Sequence, residues 1–169
     1  MTTVFINASQ HASPKSSPYI TRRGYQSLEK EMTMLWEKRA EVTKALAAAA
    51  AEGDRSENAE YIYRKKQLRE IDSRVTYLHK RMPTLKIVDQ VGDKNKVFFG
   101  ATVTLEDEQG NVHIHRIVGA DEIDPDKSHI SLDSPVAKAL LGKSVGESIS
   151  INSDDTIKEF DITAIEYEK

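Results

Sequence analysis

The chain of 169 residues contains no cysteine, a single tryptophan and no long apolar run. Each absence removes a class of function. Without thiols there are no disulfides, no thiol nucleophile and no cysteine-ligated zinc. A membrane-spanning helix needs ~20 consecutive apolar residues, and here only 38% of residues are hydrophobic while 30% are charged. The N-terminal stretch has no basic region leading into an apolar core, so no secretory signal is expected. A soluble, cytoplasmic protein that does not engage membranes is the expectation. No Gly-rich phosphate loop, Ser-His-Asp set or HExxH pattern appears, so no self-contained catalytic site of those kinds is spelled out.

Charge is present in quantity and unevenly divided. Residues 1–86 carry 16 Lys and Arg against 10 Asp and Glu, a balance of +6. Residues 87–169 carry 8 against 17, a balance of −9. Such a polarity orients a protein on a partner with its own charge pattern without identifying that partner.

Residues 1–18 are rich in Ser, Ala and Thr and include Pro14 and Pro18, which reads as a flexible tail. Thr21 then offers an N-cap. Behind it Tyr25, Leu28, Met32, Leu35, Val42, Leu46 and Ala49 recur at steps of three and four, with Arg39 filling the charged position of the seam. Trp36, beside the seam, reads as packing. Ala47 to Ala51 keeps the end of this helix slender, and Gly53 supplies a C′ stop. A second helix, expected from about Ser56, repeats the spacing with Tyr61, Leu68, Ile71, Val75, Leu78, Met82 and Leu85, and carries Arg64 on its seam. A connection this short makes the helices antiparallel, and Pro83 ends or kinks the second one.

From Val97 the period changes to two, with Phe99, Ala101, Val103 and Leu105 alternating with polar neighbours. Gln109-Gly110-Asn111 marks a turn, Val112 to Val118 a returning strand, and residues 121–128 an acidic loop. Ser134-Pro135 opens a short helix over Val136 to Leu141. Further strands are expected around Ser148–Ile151 and Ile157–Tyr167. The fold class is α+β: a tail over 1–18, an antiparallel coiled-coil hairpin over 19–86, and a small antiparallel β-sheet domain with one helix over 87–169.

The candidate chemistry lies between the helices. Asp54 and Glu57 stand three residues apart on the turn. One reading is a capping box that satisfies free amides of the second helix. The other is a metal site. Two carboxylates are too few to enclose Mg²⁺, which keeps waters and shares ligands with substrate phosphates; a pair on a long arm suits delivery to another molecule that already holds metal and phosphate. Beyond the turn, Arg64, Lys65, Lys66 and Arg69 form a local basic cluster with Arg55. It is either a solvated helix face or a track for a nucleic-acid backbone. His113 and His115 share a strand face without a third ligand that can be placed.

Several separate stretches resemble one family. Thr21-Arg22-Arg23-Gly24-Tyr25, the run from Gly53 to Tyr61, Lys86-Ile87-Val88-Asp89, Val97-Phe98-Phe99-Gly100, the run from Ser131 to Leu141, and Gly146-Glu147 are similar to the bacterial transcript-cleavage factors GreA and GreB. Asp54-Arg55-Ser56-Glu57, Trp36 and the run from Lys65 to Asp72 lie closer to GreB. The resemblance implies a coiled coil followed by an FKBP-like domain that docks on bacterial RNA polymerase, the coiled coil entering the secondary channel. It implies that Asp54 and Glu57 share a Mg²⁺ ion with the polymerase, that none is held by the isolated chain, and that cleavage of backtracked 3′ RNA follows. Arg55, Ser56 and Asn58 would contact the active centre, and Arg64, Lys65, Lys66 and Arg69 would face the nascent RNA 3′ end. Ser134, Pro135, Val136 and Leu140 would dock on polymerase. A monomeric accessory factor without catalysis of its own is implied. Three other readings stay open: a channel-binding regulator that does not stimulate cleavage, a peptide isomerase or binder, and an unrelated coiled-coil adaptor. Family members usually carry Pro where Ala40 stands, and Pro83 is a further departure.

Overall fold

The computed structural model describes residues 15–53 and 58–168. Chain contacts divide them into two compact units, residues 25–84 and residues 15–24 together with 85–168.

The first unit is the helical hairpin. Helix α1 runs over Arg22–Ala50 and α2 over Ala59–Arg81. At 1.5 Å per residue, the 29 residues of α1 span about 43 Å. The seam is the one the spacing predicts: Leu28, Leu35, Val42, Ala49, Ile71, Val75 and Leu78 are buried. Thr21 caps α1, its Oγ1 accepting from Gly24 N at 3.0 Å. At the other end α1 stops at Ala50, and Gly53 lies two residues past the following Ala51, with a φ of +136° that side chains resist. Gly53 therefore sits one residue beyond the expected C′ position. Ser56 lies outside the described residues, and the described second helix starts at Ala59 behind Asn58. It ends at Arg81, where a 3₁₀ turn over Met82–Thr84 accommodates Pro83.

The second unit is a five-stranded sheet with one helix. Strands β3 (Thr102–Asp107), β4 (Val112–Val118), β5 (His129–Ser131), β6 (Ser148–Ser153) and β7 (Thr156–Glu166) take the order β5-β4-β3-β7-β6. Helix α3 (Pro135–Leu140) contributes Ala137 and Leu140 to a core shared with Val97, Ala101, Val103, Leu105, Ile117, Ile149 and Ile162. The sheet is mixed rather than antiparallel, because β5 pairs parallel with β4 through Arg116↔His129 to Val118↔Ser131. The expected first strand begins later than its alternation suggested. Phe98 to Ala101 form a turn, Ala101 N donating to Phe98 O at 3.1 Å, with Gly100 at a φ of +86°.

The boundary expected at residue 18 differs from the packing, while the one expected at residue 86, near Pro83, lies within two residues of where the units divide. Residues 15–24 belong to the second unit. β1 (Tyr19–Ile20) pairs parallel with β2 (Lys86–Ile87), Lys86 N donates to Pro18 O at 2.7 Å, and Ile20 is fully buried. The end of the expected flexible tail is held as well, for Ser17 N donates to Asp133 Oδ2 at 2.9 Å. Residues 1–14 lie outside the described residues.

Candidate functional site at the end of the hairpin

Asp54, Arg55, Ser56 and Glu57, the centre of the candidate site, lie outside the described residues. Their flanks are well defined. Asn58 Oδ1 accepts from Tyr61 N at 3.1 Å, so Asn58 is the N-cap of α2. Its Nδ2 donates to Ala49 O at 2.8 Å, which ties the start of α2 to the last turn of α1. Both ends of one amide thus brace the helices where Asp54 to Glu57 connect them. Asn58 is the cap of the described helix, and the capping-box reading of Asp54 and Glu57 falls on residues outside the described ones. Ala47 and Ala48 are exposed and Ala49 is buried, leaving only methyl groups on this turn.

The basic cluster divides. Arg64 is half-buried and held within its own helix, by Glu60 at 2.7 Å and Gln67 at 3.1 Å. Its guanidinium lies 5.4 Å from the Tyr63 ring centroid, and the Lys65 ammonium lies 5.9 Å from that of Tyr61. Lys65, Lys66 and Arg69 are exposed, and they are the three that the i, i+1, i+4 spacing places on one face. The outward basic surface is this trio, with Arg64 behind it as a brace.

Farther along the hairpin the structure shows what the spacing did not. Arg74 is buried, and its Nε and Nη2 donate to Glu31 Oε1 and Oε2 at 2.6 and 3.0 Å across the helix pair. Arg39 Nε donates to Asp72 Oδ1 at 2.7 Å in a second cross-helix rung. Trp36 is not packing: it is 53% exposed, with the Arg39 guanidinium 6.0 Å from its ring. It follows Leu35 by one residue, which turns it about 100° away from the seam. Arg74 carried a sequence signal, since it stands three residues after Ile71 and four before Leu78, on the seam side of the helix.

In the second unit, Ser134 is the N-cap of α3, its Oγ accepting from Ala137 N at 3.2 Å, and Pro135 is exposed at the first turn. Val136 is partly buried against the core. Leu140 is fully buried and is not available to a partner. The i, i+3 spacing of Ala137 and Leu140 turns that face into the sheet, and Leu141 and Val145 are the exposed apolar residues that follow. His113 Nε2 lies 3.3 Å from Asp107 Oδ2 and its ring meets Phe160 edge-on. Burial, with a smaller contribution from His113, lowers the His115 pKa. Among the described residues no group of three or more His, Asp or Glu could hold a metal ion.

Comparison with known proteins gives the same picture over both units. Residues 18–87 match the family described as transcription elongation factor, N-terminal, and residues 92–167 match transcription elongation factor, GreA/GreB, C-term. The chain is 52% identical over 155 residues to the transcription elongation factor GreB of Pasteurella multocida (strain Pm70), covering 90% of this chain and 98% of that one. It is 48% identical over 163 residues to the transcription elongation factor GreB of Pseudomonas aeruginosa, covering 94% and 97%. A solved structure of the GreA factor homolog 1 protein of Thermus thermophilus aligns over 88% of this chain and 97% of that chain, at 27% identity and a TM-score of 0.41.

Proposed function

As this chain belongs to the GreA/GreB family of transcription elongation factors, we propose that it acts as a transcript-cleavage factor of the GreB type. Its partner is bacterial RNA polymerase. The hairpin enters the secondary channel as a monomer, and the factor completes the polymerase's hydrolytic site rather than catalysing by itself. Asp54 and Glu57 would supply oxygen ligands to Mg²⁺ shared with the polymerase. Hard carboxylate oxygens suit that ion, but two of them leave most of its shell to other donors. When held between the two proteins, the ion would supply charge stabilisation for hydrolysis of the phosphodiester.

The observation that carries this reading is how the flanks of the acidic turn are built. A small end of alanines, cross-tied by Asn58 at 2.8 Å to Ala49 O, suits presentation of a short loop in a narrow space. Such a brace fixes the two flanking helix ends relative to one another, and precise delivery of catalytic groups requires fixed supports. Lys65, Lys66 and Arg69 follow on α2 as exposed cations, which would meet the phosphates of an extruded RNA 3′ end.

The test is release of 3′ RNA from a deliberately backtracked polymerase complex with Mg²⁺. Asp54→Asn and Glu57→Gln are expected to bind polymerase as the wild type does. Each should slow cleavage by on the order of a hundredfold, the scale seen when one preorganised charge-stabilising group is lost. Wild-type protein that binds without stimulating cleavage would make the chain a channel-binding regulator instead.

A further inference from the structure

Residues 17–23 carry a run of donors, and the carboxylates of residues 85–168 receive them. Ser17 donates through N and Oγ to Asp133, Arg22 pairs with Asp89, and Arg23 Nη1 lies 3.5 Å from Glu168 Oε1. Thr21 donates through N to Glu122 Oε2 at 2.7 Å and through Oγ1 to Glu122 Oε1 at 2.5 Å. Gly119 N adds a third bond to Oε2 at 3.1 Å.

Glu122 differs from the other carboxylates in how it is enclosed. A Cβ added to Gly24 would overlap its Oε1, and a Cβ added to Gly119 would overlap the Tyr19 carbonyl oxygen. Two glycines therefore make room for the carboxylate and for the β1 backbone beside it. Thr21 Oγ1, while donating to Glu122, accepts from Gly24 N as the cap of α1. Negative charge here also complements the free amides of the first turn. By contrast, Arg22 and Arg23 keep 61% and 77% of their side chains exposed, and ion pairs of that kind contribute little. Glu122 is the carboxylate that engages the cap of α1 through both Thr21 N and Thr21 Oγ1.

Helix α1 is continuous from Arg22, beside Glu122, to Ala50, next to the turn that carries Asp54 and Glu57. We propose that Glu122 is a positioning residue for transcript cleavage, acting through the first turn of α1; this rests on the cleavage reading given above. It touches neither RNA nor metal. Oε2 takes both backbone N–H donors, so a carboxamide in its place keeps them only by turning its NH₂ toward Thr21 Oγ1, which leaves the hydroxyl proton without its acceptor and removes the charge beside the helix start.

The experiment compares full-length wild type, Glu122→Gln and Gly24→Ala on the same backtracked complex, measuring cleavage rate at saturating factor and the half-saturating concentration separately. Amide exchange at residues 21–24 is followed in parallel. Glu122→Gln is expected to slow cleavage about tenfold, equivalent to about 1.4 kcal/mol, with the half-saturating concentration little changed and residues 21–24 exchanging faster. Gly24→Ala, which displaces the carboxylate without removing its charge, should do the same. It serves as the deciding variant if Glu122→Gln does not fold. Wild-type cleavage with equally active variants overturns the role of Glu122 alone, as does a defect confined to half-saturation. Wild-type protein that stimulates no cleavage overturns the cleavage reading and the positioning role together.

Discussion

Replacing Arg74 by Met removes the guanidinium from the hairpin and leaves the Glu31 carboxylate facing an apolar neighbour. The two bonds lost are 2.6 and 3.0 Å long, in a two-pronged pairing of the strong, charge-assisted kind. Taking one partner from a buried pair costs about 3–5 kcal/mol, because the remaining charge stays desolvated. The Glu31 side chain keeps 25% of its surface exposed, so water offsets part of that, and about 2–4 kcal/mol is expected for Arg74→Met. The reverse change, Glu31→Met, takes this carboxylate from a guanidinium only 7% exposed, and about 2–4 kcal/mol is expected there as well.

The double variant Glu31→Met/Arg74→Met decides whether charge or shape matters. Apolar groups of similar volume repack a buried pair at little cost, so the double variant should lie within about 1 kcal/mol of wild type, leaving a coupling energy of about 5 kcal/mol, the summed single losses less that of the double. Urea unfolding followed by far-UV circular dichroism reads this out, the helical signal coming mostly from residues 25–84. In thermal melts each single variant should lose roughly 4–16 °C, at 2–4 °C per kcal/mol for a chain of this size. A double variant as unstable as the singles would refute the reasoning, as would single losses below about 1 kcal/mol.

Acid should remove a contribution from the β3–β4 turn. The Asn111 side chain, followed by its backbone N–H, lowers the Asp107 carboxyl from 3.8 to about 2. A group depressed in the folded state contributes fully above its unfolded value of 3.8 and loses that contribution as pH falls through about 2. Stability should therefore decline over that window in wild type and less steeply in Asn111→Ala, and a carboxyl found by NMR to titrate near its unfolded value would refute the assignment. Leu140→Ala should cost about 2–5 kcal/mol as a core truncation, seen by thermal melting, and any loss of polymerase binding should follow that unfolding. A variant of wild-type stability that fails to bind would restore Leu140 as a contact residue.

The parts of this fold legible in the sequence are those where one period runs for many residues. Leu28, Leu35 and Val42 announce α1 through repetition, and Val112 to Val118 is recovered residue for residue as β4. Short elements carry no such signal. β1 and β2 have two residues each and meet across 67 positions, Tyr19 on Lys86 and Ile20 on Ile87. β5 has three residues and pairs in parallel, so neither alternation nor a hairpin turn marks it. Long-range polar pairs were hidden for another reason. Arg74 stands on the seam side of its helix by spacing, but nothing marks Glu31 as its partner until the register of the two helices brings them together. Leu140 was legible and misread, since its spacing from Ala137 already placed it inside. At the candidate site the motif Asp54 to Glu57 was legible as residue types, whereas the Asn58 brace required the Ala49 carbonyl to be in place.

The division of charge along the chain shows how a correct count can mislead about a surface. Residues up to 86 carry the positive balance of +6, which reads as a basic hairpin facing an acidic domain. Yet Arg22 and Arg23, counted with the hairpin, fold with the second unit and meet Asp89 and Glu168 there. Glu122 and Asp133 are likewise engaged by Thr21 and Ser17. A good part of the opposition between the two halves is thus satisfied within the second unit, joining the residues before α1 to the strands and loops after α2. On the hairpin itself, Arg74 and Arg39 are matched by Glu31 and Asp72. The cations that stay outward on α2 include Lys65, Lys66 and Arg69, within three turns of Asn58. Lys65, Lys66 and Arg69 are therefore an outward basic group that closely follows Asp54 to Glu57 in the chain, where the proposed chemistry would use it, while Lys30, Lys44 and Lys80 are exposed elsewhere on the hairpin.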